Sequence, residues 1–65
     1  MRIELLIKDI RIKKGYTLKQ LSRISGVSST HINDIENNLK KPSFSTILAL
    51  CKALRVNVND IYKIK

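Results

Sequence analysis

The chain has 65 residues, of which 43% are hydrophobic, and a net charge of +8 at neutral pH. This length allows one hydrophobic core and one domain over residues 1–65, and the hydrophobic content excludes an intrinsically disordered chain. One cysteine and one histidine cannot form an internal disulfide or a zinc site, and no apolar run reaches the roughly 20 residues of a membrane span.

The first predicted helix covers about residues 3–14. Ile3, Ile7 and Ile10 recur at spacings of four and three, as on one face of an amphipathic helix. Two lysines before Gly15 favour a helix C-terminus, and the glycine can take the left-handed conformation that ends it. The pattern therefore predicts a first helix with these three isoleucines on one face.

The second predicted helix is marked at both ends. Thr17 and Gln20 have the spacing of a capping box, in which each side chain bonds the other residue's backbone amide. The helix would run from residue 18 to about Ser25 and end at Gly26. A glycine here can adopt a positive φ angle, which lets the next helix cross the second one steeply.

The third predicted helix follows at once. Ser28 is its N-cap, and Ile32 and Ile35 would point inward from a helix over residues 29–37. Five small or polar side chains must then face outward: Ser29, Thr30, Asn33, Asp34 and Asn37.

The remaining sequence predicts a basic loop and two more helices. The loop spans residues 38–42, and Ser43 caps a fourth helix that runs to about Leu54. Asn57 is interpreted as the cap of a short fifth helix. The expected fold is all-α: a compact domain of five helices with a helix-turn-helix at helices 2 and 3.

The positive charge points to a polyanionic partner. The chain has 13 Lys and Arg residues and only five Asp and Glu residues, and the excess of positive charge is divided between both halves of the chain. Such a field attracts nucleic acid first and anionic lipid second, although it can also serve solubility alone. No paired carboxylates, nucleophile–base set, phosphate-binding loop or metal cluster stands out in the sequence, so we expect no enzyme and no cofactor.

The sequence resembles the Cro/phage-repressor (XRE-type) helix-turn-helix family over nearly its whole length. The family's pattern of aliphatic, small and turn positions falls on Leu21, Ser22, Gly26, Val27, Ile32 and Ile35. Residues 32–37 resemble the end of the family's recognition helix, residues 41–47 its loop and fourth-helix start, and residues 53–58 its junction with helix five.

The resemblance implies a role for each candidate residue. The third helix would enter the major groove of double-stranded DNA by its N-terminal end. The implied base-reading residues are Ser29, Thr30, Asn33 and Asp34, and the implied phosphate or backbone contacts are Ser28, His31, Asn37, Lys40, Lys41 and Lys19. Arg11 and Glu36 occupy the positions of a partly buried ion pair that ties the recognition helix to the scaffold.

Several of these roles have alternatives. Ser28 is a helix cap before it is a phosphate ligand, and His31 could instead pack, exposed to solvent, on helix two. Asp34 near DNA costs affinity unless it is paired. Leu18 departs from the family, because many relatives carry a glutamine there that contacts phosphate; Lys19 or Gln20 would have to replace that contact. Ser25 also departs from the family's usual aliphatic or alanine.

The expected function is transcriptional regulation, most simply repression, by a cytoplasmic protein of a bacterial nucleoid or a phage-infected cell. A two-fold homodimer, at least on DNA, would bind a pseudo-palindromic operator, and no membrane partner is expected. The candidate dimer surface is Leu39, Phe44, Leu48, Tyr62 and Ile64. The alternatives are an antitoxin-like module that binds a protein and a sequence-tolerant nucleic-acid binder; a regulatory protein partner is compatible with each.

Overall fold

Four α-helices and a two-stranded sheet make up the fold of a computed structural model, which describes residues 3–64. In chain order the elements are β1 (Ile3–Leu5), α1 (Ile7–Lys13), α2 (Leu18–Ser25), α3 (Ser29–Glu36), α4 (Phe44–Leu54), a single 3-10 turn (Val58–Asp60) and β2 (Tyr62–Ile64). None of these helices has the length and apolarity to cross a bilayer, since the longest, α4, has 11 residues.

Local capping sets the start and end of α2, as the sequence predicts. The Thr17 hydroxyl accepts a hydrogen bond from the Gln20 amide at 3.1 Å, and the Gln20 side-chain oxygen accepts one from the Thr17 amide at 2.8 Å. Gly26 ends the helix with a φ angle of +78°. The capping box satisfies two amides that have no partner inside the helix, and the glycine takes a conformation that is strained for other residues.

The predicted serine caps of the next two helices are also present. Ser28 accepts a hydrogen bond from the His31 amide at 3.1 Å, and Ser43 accepts one from the Thr46 amide at 3.2 Å. The structure ends α3 at Glu36, one residue before the predicted end, and ends α4 at Leu54, as predicted. These three helices therefore follow from contacts between residues close in the chain.

The core lies where α3 and α4 pack against α2. Its fully buried side chains are Ile7, Leu21, Ile32, Ile35, Leu50, Leu54 and Ile61. Burial of each such aliphatic side chain stabilises the fold by about 1.5–3 kcal/mol. This packing fixes α3 by one face only, which leaves its opposite face at the surface.

The prediction of five helices is wrong at both ends of the fold. Residues 3–5, assigned to the first helix, form β1, and the predicted fifth helix is a single 3-10 turn followed by β2. The strands pair antiparallel, with Ile3 opposite Ile64 and Leu5 opposite Tyr62. Isoleucine at positions 3, 7 and 10 fits a helical period, but pairing with a distant strand rich in β-formers overrides it.

The single cysteine belongs to the core. Cys51 is buried on α4, and its thiol is free. Burial, and secondarily the negative charge of Asp60, raises the pKa of the Cys51 thiol. Both effects favour the protonated thiol over the reactive thiolate.

Candidate nucleic-acid interface

Helix α3 is amphipathic, and its two faces have opposite characters. Ile32 and Ile35 are buried in the core, whereas Thr30 and Asn33 are exposed. The residues at 30, 33 and 37 follow one another at helical spacings of three and four and so share the outward face. The structure thus presents a row of small polar side chains on a helix whose other side is held by aliphatic packing.

The N-terminal ends of α2 and α3 meet at an open groove. Its lining is Thr17, Leu18, Lys19, Ser29, Thr30 and Asn33; we call this set the α2–α3 groove. Three of the four predicted base-reading residues line it together with the predicted phosphate ligand Lys19. The fourth, Asp34, is half-buried and lies outside the lining.

The electrostatics of the α2–α3 groove favour an anion. A helix N-terminus carries partial positive charge, because its first amide groups have no carbonyl partner within the helix. Two such ends open onto this groove, Lys19 adds a full charge, and the lining includes no carboxylate. A phosphate or an electronegative base edge would be attracted to this position.

Asn33, on the outward face of α3, is hydrogen-bonded to Asn37, the residue that follows the helix. The Asn37 side-chain amide donates to the Asn33 side-chain oxygen at 3.2 Å, and both residues are exposed. The bond restricts the rotamers of Asn33 and leaves its oxygen a second lone pair. Asn37, which the resemblance assigns to backbone contact, therefore also orients the predicted base-reading side chain.

The remaining predicted phosphate ligands flank the groove rather than line it. The Ser28 hydroxyl serves as the cap of α3, and His31 is half-buried one helical turn from the cap. Lys40 and Lys41 are exposed on the loop after α3, where Asn38 turns the chain with a φ angle of +60°. The lysines line a separate hollow between this loop and β1.

A bidentate ion pair holds α3 to α1. The Arg11 Nε–Glu36 Oε2 distance is 2.8 Å, and the Arg11 Nη2–Glu36 Oε1 distance is 3.1 Å. The side chains are 11% and 3% exposed, respectively, and Arg11 also donates to the carbonyl of Tyr16 at 2.9 Å. The pair implied by the resemblance is thus present, with α1, the turn before α2, and the end of α3 joined through one guanidinium group.

One residue of the groove had no role in the sequence analysis. Leu18 was considered only as a missing phosphate contact, yet its side chain lines the groove while also packing on the core. The sequence indicated only that Leu18 lies at the start of α2. Leu18 directly follows the Thr17 cap, so it starts α2 at the same end as the groove.

A second exposed surface is apolar and lies on other elements. Phe44 and Leu48 on α4 are 66% and 43% exposed, and the paired strand residues Ile3 and Ile64 are 59% and 57% exposed. We call these four residues the apolar face. Of the predicted dimer surface, Tyr62 is half-buried and Leu39, on the loop, is 70% exposed. The prediction of the dimer surface did not include Ile3, because Ile3 was assigned to one face of the first helix.

Comparison with known proteins identifies the class. The model of a family described as helix-turn-helix matches residues 7–61, which includes α1 to the 3-10 turn. The chain belongs to this helix-turn-helix family, of the XRE type.

The relatives are transcriptional regulators. An uncharacterized HTH-type transcriptional regulator of Mycobacterium tuberculosis is 37% identical over 56 residues, which are 86% of this chain and 40% of that protein. The HTH-type transcriptional regulator SinR of Bacillus subtilis is 34% identical over 56 residues, 85% of this chain and 50% of SinR. The chain thus spans about half the length, or less, of these curated relatives. Regulators of this family are not enzymes.

Solved structures share the fold. A crystal structure of SinR in complex with DNA superposes with a TM-score of 0.78 at 35% identity, covering 82% of this chain and 86% of that one. The restriction-modification controller protein C.AhdI from Aeromonas hydrophila gives a TM-score of 0.81 at 24% identity, covering 83% of this chain and 82% of that one, and shows the fold alone.

Among residues 3–64, no three His, Cys, Asp or Glu side chains are grouped so as to hold a metal ion.

Proposed function

We propose that the protein is a sequence-specific regulator of transcription that binds double-stranded DNA with α3 in the major groove. The observation that carries the proposal is the α2–α3 groove, where two helix N-termini, Lys19 and polar side chains meet with no carboxylate. Donors and acceptors of this kind match the edges of base pairs, and the positive ends match phosphates. SinR, whose fold this chain shares, has been crystallised with DNA.

Base reading is assigned to the outward face of α3. Asn33 can bond adenine through two atoms at once, Ser29 and Thr30 can donate or accept, and Asp34 can accept from a cytosine amino group. Phosphate and backbone contacts are assigned to the flanking residues: Ser28, His31, Asn37, Lys40, Lys41 and Lys19. Arg11 and Glu36 keep a structural role because their charges are satisfied by each other within the protein.

The active species is proposed to be a homodimer on a pseudo-palindromic operator. One α3 contacts only a few base pairs. A two-fold dimer whose α3 helices bind half-sites about 34 Å apart has a higher affinity and recognises a longer DNA sequence. The apolar face is the proposed contact, because four large apolar side chains are exposed on neighbouring elements. Repression would follow from occupancy of the operator, in the cytoplasm of a bacterial cell or one infected by a phage.

Selection of bound sites from random duplexes tests the proposal directly. The expected result is one enriched, two-fold symmetric sequence that competes at least about a thousandfold better than bulk DNA. Lys40→Ala and Lys41→Ala should weaken all duplexes alike and flatten the dependence of log K on log salt by about 0.9 per lost contact.

Two outcomes would contradict the proposal. Steep salt dependence without an enriched site would identify a sequence-tolerant binder. Absence of DNA binding, together with a stable complex between the apolar face and another protein, would identify the antitoxin-like module instead.

A further inference from the structure

Leu18 is the apolar member of an otherwise polar groove. It is the first residue of α2, and its side chain is half-buried, with part packed against the core and part lining the α2–α3 groove. The other lining residues carry hydroxyl, ammonium or carboxamide groups: Thr17, Lys19, Ser29, Thr30 and Asn33. An aliphatic side chain fixed among these groups has no donor for a phosphate and no acceptor for a base.

The chemistry of DNA limits what such a side chain can contact favourably. In the major groove the apolar group that base pairs present is the C5 methyl of thymine. Asn33 lines the same groove and has the two-atom pattern that recognises adenine, whose partner base is thymine. The groove lining therefore contains both an adenine-type contact and an aliphatic surface.

We propose that Leu18 is a specificity-determining residue that contacts the 5-methyl group of a thymine in each half-site. This inference rests on the proposed function, because it needs α3 in the major groove. Packing of Leu18 on the core holds its side chain in place, so the contact is made without ordering a flexible group. Removal of one methyl group from such a contact should weaken binding about fourfold.

The test replaces thymine by deoxyuridine, which removes the methyl and leaves every hydrogen-bonding atom in place. Starting from the best duplex found by selection, each thymine of one half-site is replaced in turn, and Kd is measured by fluorescence anisotropy. With the unaltered protein, at least one replacement should weaken binding about fourfold. With Leu18→Gln, the same replacement should change Kd by less than about 1.5-fold, since no aliphatic contact remains to be lost.

Two matched variants separate Leu18 from the threonine methyls of the groove, which belong to Thr17 and Thr30. Thr17→Ser and Thr30→Ser each remove one methyl and keep the hydroxyl, and the fourfold deoxyuridine effect should persist in both. Thermal unfolding followed by circular dichroism checks that Leu18→Gln is folded. Where it is not, Leu18→Ala serves in its place, because it removes the same contact without adding a polar group next to the core.

Failure of this inference is distinguishable from failure of the proposed function. An enriched duplex with no sensitive thymine, or an equal deoxyuridine effect in the unaltered protein and the Leu18 variant, overturns the methyl contact alone. Loss of the effect in Thr17→Ser or Thr30→Ser transfers the contact to that threonine and also overturns it for Leu18. Absence of any preferred duplex overturns both proposals together.

Discussion

The α2–α3 groove and the apolar face lie on one small domain and are built in opposite ways. The groove is formed by α2 and α3, which are neighbours in the chain. The N-cap residue of each helix bonds an amide three residues ahead, and the turn between the helices is at Gly26. The apolar face joins the two ends of the described chain, where Ile3 pairs with Ile64 and both border α4. An exposed side chain of either surface can change without loss of the fold, but the backbone beneath the groove is set by nearby residues, whereas the backbone beneath the apolar face depends on pairing of distant strands.

The strongest test of the scaffold beneath the groove is loss of the ion pair. Glu36→Ala leaves the Arg11 guanidinium, 11% exposed, without its carboxylate, which should cost about 3–5 kcal/mol of unfolding free energy. A single core of this size rarely supplies more than about 3–5 kcal/mol, so the variant should be largely unfolded at 25 °C. Urea titration monitored by circular dichroism measures the effect.

The double variant Arg11→Met with Glu36→Leu is the control for that experiment. It removes both charges and keeps the volume apolar, so much of the lost stability should return. If the double variant were as unstable as Glu36→Ala, the pair would stabilise the fold through its specific hydrogen-bond geometry, and the unpaired charge would not be the cause of the loss.

Loss of a base-reading side chain should act on recognition and leave the fold intact. Asn33→Ala should reduce discrimination at one base pair by about 1–3 kcal/mol. Since Asn33 is exposed, its replacement should change unfolding free energy by less than about 0.5 kcal/mol. Competition binding with single-base variants of the operator measures the effect, and Asn59→Ala, an exposed asparagine on the 3-10 turn, is the matched control. An equal loss on every sequence would remove Asn33 as a reader.

The turn between α2 and α3 has room for a side chain at Gly26, but its backbone conformation is strained for any residue other than glycine. A Cβ at Gly26 would have no atom within 4 Å, yet the φ angle of +78° is one that L residues rarely adopt. Gly26→Ala should therefore cost about 1–2 kcal/mol of stability. Gly15→Ala, at a φ of +80° outside the groove, should cost a similar amount. Thermal melts compare them, and Gly26→Asn should cost less, because asparagine tolerates this region better. An unchanged melting temperature would show that the turn can relax.

Only a small effect on folding is expected from a substitution at the apolar face. Phe44 is 66% exposed, so Phe44→Lys should change monomer stability by no more than about 0.5 kcal/mol. Its effect should be on association, since it adds a charge to each side of the proposed two-fold contact. Sedimentation equilibrium measures this, with Ile12→Lys, on an exposed isoleucine of α1, as the control. Equal behaviour of the two variants would exclude the apolar face as the dimer contact.

Residues close in the chain made much of the fold and the candidate site predictable. The capping box of Thr17 and Gln20, the serine caps and the glycine turn lie within a few residues of the groups they satisfy, so a linear pattern records them. The inward face of α3 followed from the same local periodicity. Once Ile32 and Ile35 were placed on the inward face, the remaining polar residues of α3 had to face outward. This inference named Ser29, Thr30 and Asn33 of the α2–α3 groove before the structure was known.

The pairing of the two terminal strands was decided by the tertiary structure alone. A strand of three residues such as β1 has no periodicity that separates it from the first turn of a helix, and its identity depends on β2 at the far end of the chain. The placement of Leu18 in the groove likewise depends on how α3 lies against α2. The sequence by itself determined where α2, α3 and α4 begin and where α2 ends, because capping contacts act over three or four residues. Only the packed chain decided which termini pair and which side chains share a groove, because those contacts compete with local preferences and prevail through burial.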